Sequence, residues 1–339
     1  MSSRHVVAVA VAILIGGSLT ACASQEVEAA PPSEPTASQT PAPTPTPTPT
    51  VLVVGPGQRP PALFDGDCDQ MLSPEEVTAV LGRPGTLDTI QASTGYNVMA
   101  GAGGLHCVWV ADNVDGLHVA VFPESGVSEV DLAAVDPDRV GDDCTWYCGV
   151  VSRQDGYVVV TNVNGIDARH DDAVRTSALV TPLAVANARA TAEPWIRDRT
   201  GWCEQDCAQL GAEVSADLGM SLTGEEWGIY IDPPLTAGLL ADEAARFWAC
   251  RLVDDAGQYA EVWAHSGAAW GAGDGLSSSG LPAPWQGRAV EEEMRNDFVR
   301  GSGRRMTDGV NLVTLSPVPI ELGVDVGTLA TAVAAALTP

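Results

Sequence analysis

The sequence predicts an α+β fold: two tandem related domains, each an antiparallel sheet with helices on one face. Three observations predict it. A cysteine followed by a short amphipathic helix that stops at a glycine occurs twice, at 68–82 and at 207–219. A second cysteine, set in an alternating apolar strand, follows each helix, at Cys107 and at Cys250. Each copy then closes with an alanine-rich helix. The expected organisation is a leader over 1–21, a linker over 22–60, one domain over 61–192 and a second over 193–339.

Taken in order, the chain opens with Arg4 and His5, then an unbroken apolar run over 6–15. Gly16, Gly17 and Ser18 loosen the segment before Leu19-Thr20-Ala21-Cys22. This is the layout of an exported, cleaved leader. Its apolar core is short for a permanent span of a bilayer of ~30 Å. The motif resembles the lipobox of bacterial lipoproteins. That resemblance implies a diacylglyceryl group on the Cys22 thiol and cleavage before it. Several acyl chains anchor a protein to a membrane where a single chain does not. The expected location is the extracytoplasmic face of the cell membrane.

Residues 29–50 are Pro, Thr, Ala and Ser, ending in repeated Thr-Pro pairs. Proline fixes φ and removes a donor, so the segment is expected to be an extended spacer. At ~3.1 Å per residue, the roughly thirty residues from Cys22 onward would hold the domains up to ~90 Å from the anchor. Thr-Pro runs of this kind also suit O-glycosylation.

In the first domain, Ser73, Pro74 and Glu76 form a capping box with proline at N1, and Gly82 ends the helix. Strands are expected over 105–110 and 117–122 around an Asp115-Gly116 turn, and over 157–161. The closing helix is expected from Pro182, with Thr181 as N-cap. In the second domain a helix over 208–218 ends at Gly219. Strands over 247–253 and 258–263 flank the turn 254–257, and another spans 310–314. A helix over 325–337 closes the copy, and the boundary falls near 192–196.

The pattern of Cys68, Cys107 and Trp109 resembles actinobacterial envelope lipoproteins of unknown function. Those domains begin with a cysteine before a short helix and carry a later Cys-x-Trp strand. The second copy departs from it, with Arg-Leu after Cys250 and Trp248 before it. The resemblance implies a surface location and no particular activity. All 17 basic residues are arginine, in keeping with a GC-rich genome.

Seven cysteines follow Cys22, an odd number, and an exported chain meets an oxidising compartment. The repeat suggests bridges Cys68–Cys107 and Cys207–Cys250. Each would be worth ~3–4 kcal/mol in the chain-entropy model. Cys144 and Cys148 join only if the segment between them turns. Cys203 is the candidate free thiol, and a Cys148–Cys203 bridge is the alternative.

The net charge of -27 and the absence of basic clusters exclude nucleic acid as a partner. Asp65, Asp67, Asp69, Ser73 and Glu76 fall at positions 1, 3, 5, 9 and 12 of an EF-hand-like loop. Gln70 replaces the turn glycine, so capping is the preferred reading over calcium. Glu291, Glu292 and Glu293 read as a solvated helix face. The histidines stand apart without metal-ligand spacing, and no nucleophile motif is present, so no catalytic residue, metal or cofactor is expected. Nine tryptophans outnumber four phenylalanines. Trp263, Trp270 and Trp285, in or beside the Gly/Ser-rich stretch 266–280, are candidate sugar-stacking residues, but the preferred reading of Trp109, Trp146, Trp248 and Trp263 is as core residues of small sheets. The leading expectation is a non-catalytic binding or scaffold module that engages an envelope protein or small ligand. A cell-wall glycan binder and a hydrolase with converging acids are the alternatives.

Overall fold

The computed structural model describes residues 51–88, 96–111, 115–134, 146–165, 168–191, 195–203, 205–227, 240–241, 244–293, 300–316 and 323–338. The leader, Cys22 and the Pro/Thr spacer therefore lie outside the described residues, as do Cys144 and residues 112–114. The chain from Pro49 to Pro339 forms one packed unit.

β1 (Leu52–Val54) leads into a 3-10 turn, Leu63–Gly66, and the short helix α1 (Cys68–Met71). α2 (Pro74–Leu81) follows, with the capping box formed by Ser73 and Glu76 and a left-handed Gly82 at its end. Next come β2 (Thr86–Leu87), α3 (Tyr96–Gly101), β3 (Leu105–Ala111), β4 (Asp115–Pro123) and α4 (Glu129–Ala134). The half ends with β5 (Trp146–Gln154), β6 (Tyr157–Gly165) and α5 (His170–Thr191). Its antiparallel sheet has the order β2-β3-β4-β6-β5.

β7 (Trp195–Arg197) leads to the second half: α6 (Cys207–Leu218), β8 (Leu222–Glu226), β9 (Phe247–Asp254) and β10 (Tyr259–His265). β11 (Gln286–Glu293), β12 (Arg300–Thr307), β13 (Leu312–Ser316) and α7 (Val326–Ala336) complete it. Its antiparallel sheet has the order β11-β12-β13-β10-β9-β8. The repeat is therefore topological. Strands β2, β3, β4, β6 and β5 correspond to β8, β9, β10, β13 and β12, and β11 is an added edge strand. The fold is α+β, with two related antiparallel sheets.

One face of each sheet packs on its helices. In the first half Val77, Trp109, Val119, Val159, Val180 and Val185 form that core, and in the second Leu210, Leu252, Val262, Val313 and Val333 do. A disulfide pins helix to strand in each copy. Cys68–Cys107 closes a separation of 39 residues and Cys207–Cys250 one of 43. Such bonds belong to oxidising compartments outside the cytoplasm. Among the described residues no helix is long and apolar enough to cross a membrane.

The two halves are joined rather than strung apart. β1 pairs in parallel with β7, Leu52 to Trp195 and Val54 to Arg197. A separate core cluster combines Val98, Met99, Phe122, Val158 and Val160 of the first half with Leu240, Ala241, Ala244 and Ala245.

Three local expectations are corrected. The closing helix of the first half starts at His170, not Pro182, and Pro182 sits inside it. An interior proline costs ~3 kcal/mol. Burial of Ala173, Val180, Ala184, Val185 and Ala188 outweighs that cost. Thr181 is a buried interior residue facing Ser177, not an N-cap. Asp115 and Gly116 begin β4 rather than forming the turn. A side chain at Gly116 would meet Asn164 Oδ1 of β6, so glycine serves a close approach between strands. Glu291, Glu292 and Glu293 extend β11 opposite β12, with Glu293 facing Arg300. Pairing to a neighbouring strand overrides local helix preference there.

Candidate functional site

The second sheet presents its other face, away from α6 and α7, as rows of directly opposed residues. One row runs Arg288, Arg305, Thr314, Trp263 and Ala249 across β11, β12, β13, β10 and β9. A parallel row includes Glu261 opposite Arg251, with Glu225 beyond it. Opposed residues in an antiparallel pair share a face, so the register gathers these side chains on one surface.

Glu261 is the anchor of this surface. It is only 4% exposed, yet carries a charge. Arg251 compensates through an Nη2–Oε1 ion pair of 3.2 Å. The indole Nε1 of Trp263 donates to the other oxygen, Oε2, at 3.2 Å. Both carboxylate oxygens are thus engaged, as burial of a charge requires. The Arg251 guanidinium in turn stacks on Trp227 and lies 4.2 Å from the centre of the Tyr259 ring. Trp227 is itself held by its backbone N–H, which donates to Ala249 O at 2.9 Å. The result is a half-buried aromatic and charged surface in which the Trp263 ring has a fixed tilt.

The other end of the row is cationic. Arg288 and Arg305 stand directly opposite each other. Arg288 Nε donates to Ala272 O at 3.2 Å, while the Nε of Arg305 is buried with no hydrogen-bond partner. His265 lies one row away, its ring 4.6 Å from that of Phe247. Burial, and then the positive charge of Arg305, lower its pKa to about 4, so it is neutral at pH 7.

Guanidinium groups take oxyanions, and indole faces take apolar ring surfaces. Glu261 is occupied by two donors and His265 is buried, so neither is placed as an accessible general acid or base.

The three candidate tryptophans separate. Trp263 belongs to the surface just described. Trp270 is half-buried in a 3-10 turn, Ala269–Ala272, with the Arg59 guanidinium 5.3 Å from its ring centre. Its Nε1 is buried without a partner. Trp285 is 1% exposed and packs among Leu329, Ala330 and Val333 of α7, its Nε1 donating to Thr338 Oγ1 at 3.1 Å. It is a core residue and not a stacking platform. The small residues of α7 open a slot that the flanking Gly/Ser-rich loop concealed in the sequence. Trp109 is core as expected, while Trp248 is half-buried and donates to Cys203 O.

The acidic loop near Cys68 does not gather ligands. Asp65 lies in a left-handed backbone conformation at φ 53°. Asp67 caps α1 by accepting from Asp69 N at 3.0 Å. Glu76 accepts from Ser73 N at 2.8 Å. Capping uses the oxygens that a calcium loop would offer. Among the described residues no three His, Cys, Asp or Glu side chains converge to hold a metal ion.

Among the described residues Cys203 is the free thiol, and burial pushes its pKa up to about 11, so it is protonated at pH 7. Cys148 is disulfide-bonded, which excludes a Cys148–Cys203 bridge, and its partner lies outside the described residues.

Sequence spacing missed two pairings. His106 and His118, on the adjacent strands β3 and β4, stack at 5.6 Å on the face turned toward Leu240 and Ala244. Burial lowers their pKa to about 3 and about 4, with the neighbouring imidazole adding to the fall at His106. Arg251 and Glu261 are equidistant from the tip of the hairpin at 254–258. Folding that hairpin on paper would have brought them together.

No protein-family model, curated protein or solved structure matches this chain.

Proposed function

We propose that the chain is a non-catalytic binding module of the cell envelope, held to the membrane by lipid on Cys22 and raised on the Pro/Thr spacer. The lipobox-like Leu19-Thr20-Ala21-Cys22 and the two disulfides support the address. The observation that carries the binding role is the buried Glu261, which fixes both Arg251 and Trp263 on one face of the second sheet. Holding an indole at a set angle beside guanidinium groups is preorganisation for a ligand with a ring and polar substituents. A cell-wall glycan fits that description.

The test uses the chain from Cys22 onward with Cys22→Ser, so that acylation does not interfere. Tryptophan fluorescence is followed during titration with solubilised cell-wall fragments. A saturable change that Trp263→Ala removes supports the reading, and an unchanged spectrum rejects it. For the anchor, wild-type chain is expected in the membrane fraction and Cys22→Ala in the soluble fraction. Equal partition of the two would remove lipidation from the proposal.

A second reading, docking of an envelope protein, draws on a different surface. The β1/β7 pair exposes Leu52, Val53 and Ile196, with Val53 57% exposed. Apolar side chains collected on a short two-stranded sheet favour a protein contact.

A further inference from the structure

We infer that the half-buried face of the second sheet turned away from α6 and α7 binds an acidic sugar, its ring lying against Trp263 and its carboxylate or phosphate held by Arg288 and Arg305. The inference rests on the binding role proposed above and names the ligand class for the same surface.

The first support is a position-by-position comparison of the two copies. Aligning Cys107 with Cys250 through the strand registers places Val108 with Arg251, Ala120 with Trp263, Val160 with Thr314 and Val151 with Arg305. In the first half these residues are apolar and pack in the cluster between the halves or beside it. In the second half the same sites carry two arginines, a tryptophan and a threonine. A sheet face that needed only solubility would be satisfied by any polar residues. Here the replacements are the side chains that recognise oxyanions and rings.

The second support is charge. The chain carries 44 acidic and 17 basic residues. Arg153, Arg175, Arg189 and Arg251 each pair with a carboxylate. Arg288 and Arg305 make no ion pair among the described residues, although they face each other across a strand pair. Like charges directly opposed destabilise a sheet. An anion bridging them removes that repulsion. The Nε of Arg305 also lacks an acceptor. A surplus of donors calls for a ligand rich in acceptors.

The third support is spacing. Arg305 and Trp263 are two strands apart, with Thr314 between them. At ~4.8 Å per strand their backbones are about 10 Å apart. A six-membered ring with an exocyclic acid group spans that gap with its ring over the indole and its acid at the guanidinium pair.

The experiment titrates the Cys22→Ser chain, disulfides intact, by calorimetry with a tri-uronate, its neutral carboxyl-reduced counterpart, inorganic phosphate and a tri-glutamate peptide. The tri-uronate is expected to bind, and the neutral trimer to bind at least roughly tenfold more weakly, the loss typical of one charge-assisted contact. Arg305→Gln and Arg288→Gln are each expected to weaken the tri-uronate roughly tenfold and to leave the neutral trimer unchanged. Arg288 lies on the edge strand, so its substitution reports on binding if Arg305→Gln fails to fold. Equal binding of acidic and neutral trimers would overturn the acidic-sugar inference and leave the glycan-binding role standing. Equal binding of phosphate or tri-glutamate would overturn the sugar part. Absence of binding by either trimer would overturn the inference, and the cell-wall titration above then decides separately whether the broader role survives.

Discussion

The two halves share a strand order and spend their second sheet face differently. In the first half that face is closed, with Phe122, Val158 and Val160 packed against Leu240, Ala244 and Ala245. In the second half the corresponding face is half-buried and carries Arg251, Glu261, Trp263 and Arg305. A helix layer satisfies only one side of a sheet, so each copy has a spare side. The contrast teaches that the first copy's face is given over to the joint, whereas the second copy's face reaches the joint at Phe247 and carries charged and aromatic side chains beyond it.

The sharpest way to break this contrast is to exchange the character of equivalent sites. Val160→Arg places an unpaired charge in the joint and is expected to cost on the order of 5 kcal/mol, or to abolish folding. The reciprocal Thr314→Val is expected to cost less than about 1 kcal/mol. Urea denaturation of the two variants compares them directly, and equal losses would refute the asymmetry.

Acid should act next most strongly, and mainly on the joint. The folded-state pKa values of His106, His118 and His265 are about 3, about 4 and about 4, all below the usual 6.5. As pH falls below 6.5 the unfolded chain takes up protons that the folded chain refuses. Stability is therefore full above about pH 6.5 and declines toward pH 4, by on the order of 3 kcal/mol per histidine. Thermal melts from pH 7 to 4 should show the decline. Two of the three imidazoles lie in the first half, so His106→Gln with His118→Gln should flatten the pH dependence more than His265→Gln does.

The disulfides should behave alike. With separations of 39 and 43 residues, removing either pair by double Cys→Ser substitution is expected to cost about 3–4 kcal/mol. A markedly unequal loss would mean that one half melts before the other. Smallest of all, Ser73→Ala and Asp206→Ala remove the N-caps of matching helices and should each cost about 1 kcal/mol.

Local chemistry made much of this fold legible. Ser73, Pro74, Glu76 and Gly82 specify a helix by themselves, because caps act within one turn. The cysteine-led repeat implied two related sheets, and alternating apolar residues marked β3, β4, β9 and β10. What alternation does not reveal is which layer covers each face. Val158 and Trp263 occupy comparable alternating strands, and the packing of Val98, Met99, Leu240, Ala241, Ala244 and Ala245, remote from both in sequence, decides which is closed off. Trp285 was misread for the same reason, since its burial depends on α7, far away in sequence. Pro182 was read as a helix start because the burial of α5 against the sheet is a tertiary effect. Of the candidate site, Trp263 was found from composition. Arg288 and Arg305 were not, since nothing local distinguishes two arginines that strand pairing brings face to face.

The parallel pairing of β1 with β7 also has a mechanical meaning. For a protein tethered through its N-terminal side, any pull along the chain enters the packed unit at β1. Its partner β7 is the strand that connects the two halves, and Trp195 at its start is buried beside Gly103 of the first half. Tension from such a tether would therefore be delivered where the two halves join. The strands that carry Trp263 and Arg305 stand outside that load path.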